Sequence, residues 1–225
     1  MRRALRALST VLIVAGVLLL ADGAVTLVWE EPLSSLYAGS RQGKLDDRLA
    51  RLERGGPSPV ERRALARLPN HRRQLRFAAR AALRRAHEGD PVGRLRADAI
   101  GLDEVVVHGT EGGTLRSGPG HYPDTPLPGA RGTVAVAGHR STYGAPFRDL
   151  DELRRGDRIE LAMPYGRFEY RVERTRIVPP TATEVTDRVG FDRLILSACH
   201  PLYSAAQRIV VFARQVRVVP TGAAS

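Results

Sequence analysis

The longest apolar stretch of the sequence lies near its amino terminus. Between Ala7 and Trp29, a run of 23 residues, Asp22 is the only charged residue. A helix of that length extends about 34 Å, which is enough to cross the hydrocarbon core of a bilayer, about 30 Å thick. The pattern therefore predicts a transmembrane signal-anchor over residues 7–29, preceded by a short tail over residues 1–6.

The charges on either side of this stretch predict its orientation. Three arginines lie within the first six residues, whereas Glu30 and Glu31 follow the stretch. The positive-inside rule places the tail in the cytoplasm and everything after residue 30 outside the cell, as a single-pass protein of the cell membrane. The alternative is a cleavable signal peptide, because residues 21–23 resemble a cleavage site. Since the apolar pattern resumes at Ala24, we favour the anchor; either alternative exports the rest of the chain.

A helical pattern rich in arginine follows. Residues 41–87 carry leucines at helical spacing, with Gly and Pro at residues 55–59 and Pro69 as the expected interruptions. This pattern predicts a basic helical stalk or linker over residues 30–90. One alternative is a solvated stalk, and the other is a helix that lies on anionic lipid headgroups. We favour the solvated stalk, because the apolar stripe is thin.

The positive charge is concentrated in this first part of the chain. Residues 1–90 contain 17 Lys and Arg against 9 Asp and Glu, whereas residues 91–225 contain 18 against 15. A basic segment of this kind often indicates binding to nucleic acid. The predicted export of the chain excludes that function.

Short β-rich segments separated by Gly and Pro begin at Asp90. The candidate strands are Val92–Ala97, Glu104–Val107, Thr133–Ala137, Asp157–Ala162, Arg167–Val178, Arg193–Ser197 and Arg208–Val219. Many short strands with little helix are typical of a closed barrel or a sandwich, so the fold class is mainly β. We place the domain at residues 91–219, followed by a tail over residues 220–225.

Cys199 is the only cysteine, so an intramolecular disulfide and a multi-cysteine zinc site are excluded. A lone cysteine is most often a small buried apolar residue. Cys199, however, ends an apolar run and is followed by Pro201, which must leave the strand. A side chain at the end of a strand, beside a loop, is well placed for chemistry.

His139 and Arg208 occupy similar positions. His139 follows the apolar run of residues 133–138, and Arg208 begins another apolar strand. A histidine near a cysteine can act as a general acid and base, and a guanidinium can stabilise a developing oxyanion. These three residues are the candidate catalytic groups.

The segments that contain these residues resemble those of the sortases. The resemblance rests on Gly138-His139-Arg140 with residues 142–147, on residues 196–201 with Arg208 nine residues after the cysteine, and on the loop segments 118–123 and 129–132. It covers residues 91–219. It implies a closed eight-stranded β-barrel with short helices and a cysteine transpeptidase that uses Cys199, His139 and Arg208.

The same resemblance implies a substrate and partners. Sortases cleave a C-terminal sorting signal of secreted proteins between Thr and Gly through a thioester, and they transfer the protein to a cell-wall amine of the lipid II type. They require no cofactor and no metal. Tyr143, four residues after the histidine, resembles the class E branch of actinobacteria, which is associated with Leu-Ala-x-Thr-Gly signals. Tyr143 is therefore expected to narrow the pocket for the second residue of the signal.

One position departs from the family pattern. Ala198 stands where threonine usually precedes the cysteine. We expect Ala198 to be a substrate-binding position whose change affects substrate positioning or rate. Because neighbouring side chains of a strand point to opposite faces, Ser197 cannot simply take over this function.

Three alternatives follow from the same residues. The first is an L,D-transpeptidase acting on peptidoglycan, although the arginine of that family follows its cysteine more closely. The second is a membrane-tethered binding module that has lost activity, which Ala198 would favour. The third is a metal site built from His121, His139, Cys199 and His200, for which the ligand spacing is unsuitable.

Overall fold

A computed structural model describes residue 6, residues 9–18 and residues 32–221, with side chains from Ala38 onward in the last range. Residues 9–18 are helical and form part of a helix that we call α1. The remaining helices are α2 (Pro32–Gly55), α3 (Pro59–Ala66), α4 (His71–Arg85) and the single turn α5 (Gly112–Leu115). Short 3-10 turns cover Asp98–Ile100, Leu150–Glu152 and Thr183–Thr186.

Eight strands follow the helices and close into a barrel. They are β1 (Pro91–Ala97), β2 (Leu102–His108), β3 (Gly120–His121), β4 (Thr133–Gly138), β5 (Arg158–Met163), β6 (Gly166–Val178), β7 (Arg193–His200) and β8 (Gln207–Pro220). Their order around the barrel is β1-β2-β3-β4-β7-β8-β6-β5. The predicted closed eight-stranded barrel is confirmed. The two-residue strand β3 was not predicted, because it is too short to show a periodic pattern.

Successive side chains of β4, β7 and β8 point alternately into and out of the barrel, and they form two separate apolar clusters. Leu194, Leu196 and Ala198 of β7 pack in the main core inside the barrel. Ile195, on the opposite face of the same strand, packs in a smaller cluster with Ala135, Val178, Val210 and Phe212 on the outside. Odd-numbered residues of β7 therefore face outward.

The helix α2 packs against the outside of β1 and β2, which corrects the expectation of a solvated stalk over residues 30–90. Leu45 and Leu49 are buried against Val105 and Val107. The Gln42 amide donates hydrogen bonds to the carbonyls of Val105 and Ser117 and accepts one from the Val105 amide. The thin apolar stripe is thus long enough to bind one side of a barrel.

The helices α3 and α4 continue this packing. A capping box between Ser58 and Glu61 begins α3, and Asn70 caps α4, which agrees with the predicted breaks near residues 55–59 and Pro69. Leu75 and Ala79 of α4 belong to the main core. The helical region from Ala38 to residue 90 is therefore part of the folded domain.

The predicted membrane anchor lies only partly within the described residues. Its residues 19–29 fall outside them, as do residues 7 and 8. None of the helices in the described ranges is both long and apolar enough to cross a membrane.

Candidate active site

The strand register brings the three candidate catalytic residues to one place. Cys199 of β7 pairs directly with Arg208 of the antiparallel strand β8. Gly138 of β4 pairs with Ala198 of the parallel strand β7, so His139 follows at the level of Cys199. Neighbouring strands are about 4.8 Å apart. The ends of β4 and β7 and the start of β8 therefore bring these residues together.

All three residues belong to the outer face of the barrel. Residues directly opposite each other in a sheet share a face, and alternate residues along one strand do as well. Each of the three residues lies an even number of positions along the chain from a residue of the outer cluster. Cys199 is four positions after Ile195, Arg208 is two before Val210, and His139 is four after Ala135. Cys199 and His139 are half-buried there.

A cleft of about 770 Å³ lies on this face. Ser197 and Arg208 line it beside Cys199, and Ile195 and Val210 contribute to its floor. The loop at residues 122–126 forms one wall and the loop after β6, at residues 178–188, forms another. Cys199 itself does not line this cleft, but its pairing partner Arg208 does, so a cleft of this volume beside the strand end can hold part of an extended peptide.

One ring nitrogen of His139 has no hydrogen-bond partner in the described part of the chain. Its Nδ1 lies 3.4 Å from the Thr142 hydroxyl oxygen, whereas its Nε2 is buried and has no hydrogen-bond partner within the described part of the chain. Burial lowers the pKa of His139, and the nearby Arg116 guanidinium lowers it further. The imidazole is therefore neutral at pH 7 and can accept a proton.

Position 138, directly before His139, requires a glycine because the Phe147 ring packs closely against its backbone. A Cβ on Gly138 would lie 2.6 Å from the Phe147 ring, which is fully buried. The Phe147 amide donates a hydrogen bond to the His139 carbonyl at 2.9 Å. The loop after β4 therefore folds back onto the strand end and holds the backbone of His139 in place.

Arg208 lies at the cleft, and its guanidinium binds the neighbouring loop. Nη1 donates hydrogen bonds of 2.9 Å to the carbonyls of Ala205 and Gln207. These bonds use one of its nitrogens and leave Nη2 and Nε for a substrate oxygen. A fixed guanidinium is better placed to bind a developing oxyanion than a mobile one.

Tyr143 lies next to His139, and Ala198 does not face the cleft. The ring centroids of Tyr143 and His139 are 5.1 Å apart, and the Arg116 guanidinium lies over the Tyr143 ring at 5.4 Å. Ala198 is buried in the barrel core. This placement does not fit the expectation that Ala198 contacts substrate, because odd-numbered residues of β7 face the cleft. Ser197 is the neighbour of Cys199 that lines it.

Sequence reasoning missed a pair of side chains behind the catalytic residues. Arg140, next to His139, is buried and lies with Nη1 3.3 Å from Nδ1 of His200, next to Cys199. Its other nitrogens donate to the Arg148 carbonyl and to Asp151 at 2.7 Å. Arg140 belongs to the Gly-His-Arg motif of the sequence. Its contact with His200 depends on the register of β4 and β7, so the sequence alone could not predict it.

A buried histidine, His121, supports the wall of the cleft. Nδ1 of His121 lies 3.3 Å from Nδ1 of His108, and its Nε2 lies 3.1 Å from the Thr125 hydroxyl oxygen and 3.3 Å from the Pro126 carbonyl oxygen. Burial lowers the pKa of His121 to about 4. His121 therefore stays neutral and fixes the loop at residues 122–126. Within the residues that the structure describes, no group of three or more His, Cys, Asp or Glu could hold a metal ion.

Comparison with known proteins shows the same fold and family. The sortase domain matches residues 95–216. Sortase D of Bacillus subtilis (strain 168) is 33% identical over 132 residues, 57% of this chain and 65% of that protein. Sortase SrtE1 of Streptomyces coelicolor is 32% identical over 117 residues, 45% of this chain and 33% of that protein. The chain thus covers less than two thirds of the length of these relatives.

Solved structures agree with the family match. The structure of sortase E from Streptomyces avermitilis superposes with a TM-score of 0.55 at 32% identity, over 62% of this chain and 96% of that one. The SrtF sortase from Corynebacterium diphtheriae gives a TM-score of 0.57 at 26% identity, over 62% of this chain and 91% of that one. These matches exclude the L,D-transpeptidase alternative. Since the matched domain covers more than half of the sequence and its strand ends bring Cys199, His139 and Arg208 together, the chain belongs to the sortase family.

Proposed function

We propose that this protein is a cysteine transpeptidase that cleaves a C-terminal sorting signal between Thr and Gly and transfers the protein to a cell-wall amine. The observation that carries the proposal is the register that pairs Cys199 with Arg208 and places His139 beside Cys199 in a sortase barrel. The half-buried cysteine, next to a cleft lined by Ser197 and Arg208, fits a nucleophile that attacks an extended peptide.

In the first half of the reaction, the Cys199 sulfur attacks the carbonyl carbon of the signal threonine. The thiol proton passes to Nε2 of His139, the nitrogen that has no partner among the described residues. Arg208 stabilises the oxyanion of the tetrahedral intermediate. The imidazolium then protonates the glycine nitrogen as the C–N bond breaks, which leaves a thioester on Cys199.

In the second half, an amine attacks the thioester carbonyl. His139 takes a proton from the attacking nitrogen, the new amide forms, and the thiolate leaves and is protonated again. The amine is a cell-wall precursor of the lipid II type. No step uses a cofactor, because the cysteine, the histidine and the arginine supply the nucleophile, the proton transfers and the oxyanion stabilisation.

We propose Leu-Ala-x-Thr-Gly as the preferred signal, as in the class E branch. The support is Tyr143, whose ring lies beside His139, where it can narrow the pocket for the second residue of the signal. An aromatic wall accepts alanine and crowds proline.

The location proposed for this protein is the cell membrane, with the catalytic domain outside. The support is the apolar run from Ala7 to Trp29 between arginines and glutamates. The apolar side chains described in α1 also fit lipid, since Val11, Leu12 and Ile13 are more than 60% exposed.

A peptide competition tests the function and its specificity together. Leu-Ala-x-Thr-Gly and Leu-Pro-x-Thr-Gly peptides in one tube should both be cleaved between Thr and Gly. The alanine peptide should be about tenfold or more faster, as expected for discrimination by size. Tyr143→Ala should reduce this ratio, and Cys199→Ala should abolish cleavage. No cleavage by the unmodified protein would support the alternative of an inactive, membrane-tethered binding module.

A further inference from the structure

The cleft is unusually basic at the end away from Cys199. Four of its lining arginines lie on three separate elements: Arg76 and Arg80 on α4, Arg131 on the loop before β4, and Arg188 on the loop after β6. Among the described residues, Asp124 is the only acidic one that lines the cleft. We call these four residues the arginine cluster.

The arginine cluster is not neutralised by described residues. None of its members forms an ion pair with any side chain in the described ranges, and Nε of Arg76 is buried without a hydrogen-bond partner there. Two arginines of the barrel strands, by contrast, form ion pairs: Arg158 with Glu160 and Glu169, and Arg214 with Glu173. Glu184 and Asp187 belong to the loop after β6, but neither of them lines the cleft.

Unpaired charges of one sign in a concave site attract a ligand of the opposite sign. The low-dielectric walls of a cleft focus the field, so such a cluster acts more strongly than the same charges on a flat surface. Guanidinium groups bind carboxylates and phosphates through paired hydrogen bonds. The cluster therefore fits an anionic group.

The distance from Cys199 fits an anionic group carried by the polypeptide substrate. Cys199 lies six residue positions after Arg193 on β7, a distance of about 20 Å along the strand. Arg193 pairs with Thr133, and Arg131 lies two residues earlier. An extended peptide whose scissile carbonyl lies at Cys199 would reach this level about six residues away.

We propose that the arginine cluster binds acidic side chains of the substrate protein, one to three residues before the leucine of its sorting signal. This inference rests on the proposed function. If the protein recognises the four signal residues before the Thr–Gly bond, the part of the substrate that precedes this bond lies in the cleft. The cluster would add affinity for substrates whose sorting signal follows a short acidic segment.

Peptide binding to full-length Cys199→Ala protein tests this inference without requiring turnover. Three labelled peptides share the signal Leu-Ala-Asn-Thr-Gly: one has three aspartates directly before it, one has three asparagines there, and one has the aspartates about ten residues earlier. Fluorescence anisotropy at low salt should show the first peptide binding about fivefold to tenfold more tightly than the other two. High salt should reduce this difference, since screening weakens exposed charge pairs.

Variants of the arginine cluster supply the matched comparison. Arg76→Gln combined with Arg188→Gln should remove most of the preference for the acidic peptide. Arg84→Gln, an exposed arginine of α4 outside the cleft lining, should retain it. Equal affinity for all three peptides, or a preference that the double variant retains, would overturn the inference.

Activity separates this inference from the proposed function. If the unmodified protein cleaved the peptide with adjacent aspartates and the peptide with adjacent asparagines at equal rates, and this cleavage required Cys199, the transpeptidase would be supported and the acidic subsite refuted. If the double variant raised the KM for the amine acceptor and left peptide binding unchanged, the cluster would serve a phosphate of the acceptor, which also refutes the inference. Tight binding of the acidic peptide without cleavage would refute the proposed function and support the subsite.

Discussion

His139 owes its chemical character to its surroundings. The buried environment and the Arg116 guanidinium both disfavour the charged imidazolium, so its pKa lies below the usual value of about 6.5. A histidine with a lowered pKa keeps its neutral, proton-accepting form to a lower pH than an ordinary imidazole does. The rate should fall only when the pH drops below the lowered pKa.

We predict that Arg116 sets part of this pH dependence. In a profile of kcat/KM against pH, the acidic limb should lie below the usual imidazole value. Arg116→Gln removes the charge, so it should move the limb to higher pH, whereas Arg116→Lys should leave it nearly unchanged. An identical limb in the Gln variant would show that Arg116 does not act on His139.

We predict that His121 makes the fold sensitive to acid. Its pKa is about 4 in the folded protein and about 6.5 in the unfolded chain, so protonation favours unfolding as the pH falls from about 6.5 toward 4. The free energy of unfolding should decrease by about 3 kcal/mol between pH 7 and pH 4 through this group. Urea unfolding of His121→Gln should show a smaller decrease; equal decreases would exclude His121 as the cause.

The candidate catalytic residues could be named from the sequence, and the residues that support them could not. Cys199, His139 and Arg208 each begin or end an apolar strand within a specific motif, which is a local feature of the sequence. Arg140 and His200 meet across 60 residues of sequence, and only the register of β4 and β7 determines that contact. The inward direction of Ala198 depends on that register in the same way.

Among the elements, the parallel pair of β4 and β7 supports the site. His139 follows β4 and Cys199 lies near the end of β7, both on the outer face, and Arg140 and His200 connect the same strand ends through a hydrogen bond. Arg140 also holds the loop after β4 through the Arg148 carbonyl and Asp151. This contact should fix the separation between His139 and Cys199.

We predict that Arg140 is a positioning residue. Arg140→Gln should lower kcat by about tenfold to a hundredfold with little change in KM, because small displacements of catalytic groups are costly. His200→Gln keeps an acceptor for Arg140 and should be milder than His200→Ala. The exposed Arg155→Gln serves as the control. A larger change in KM than in kcat would contradict a positioning function.

The helix α2 stabilises the barrel from outside. We predict that Leu49→Ala lowers the free energy of unfolding by about 2–5 kcal/mol, the cost of a cavity at a buried leucine. Leu52, one turn further along the same helix, is 51% exposed, so Leu52→Ala should cost less than about 1 kcal/mol. Urea unfolding measures both; equal small losses would mean that α2 does not dock in solution.

The docking of α2 could not be predicted, although its helical pattern could. The leucines at positions 45 and 49 are compatible with a stalk, and the decisive contact is a glutamine. Gln42 binds backbone groups of Val105 and Ser117, more than 60 residues later in the chain. A polar side chain that recognises backbone groups gives no apolar pattern in the sequence.

At the scale of the whole molecule, three parts of the structure meet on one outer face of the barrel. The strand ends carry the candidate catalytic groups, the loops after β3 and β6 form the walls of the cleft, and α4 contributes arginines at its far end. The apolar segment before α2 would hold this domain at the membrane, where secreted proteins with sorting signals and lipid-linked amines are found. The cleft and the proposed anchor together fit an enzyme that joins exported proteins to the cell wall.

The central claim is that Cys199 carries the substrate as a thioester. Rapid mixing with a Leu-Ala-x-Thr-Gly peptide, acid quenching and intact mass spectrometry measure this directly. We predict a mass increase equal to the peptide up to threonine, located on Cys199, absent in Cys199→Ala and removed by hydroxylamine. Cleavage of the peptide without this adduct, or an adduct on another residue, would contradict the account.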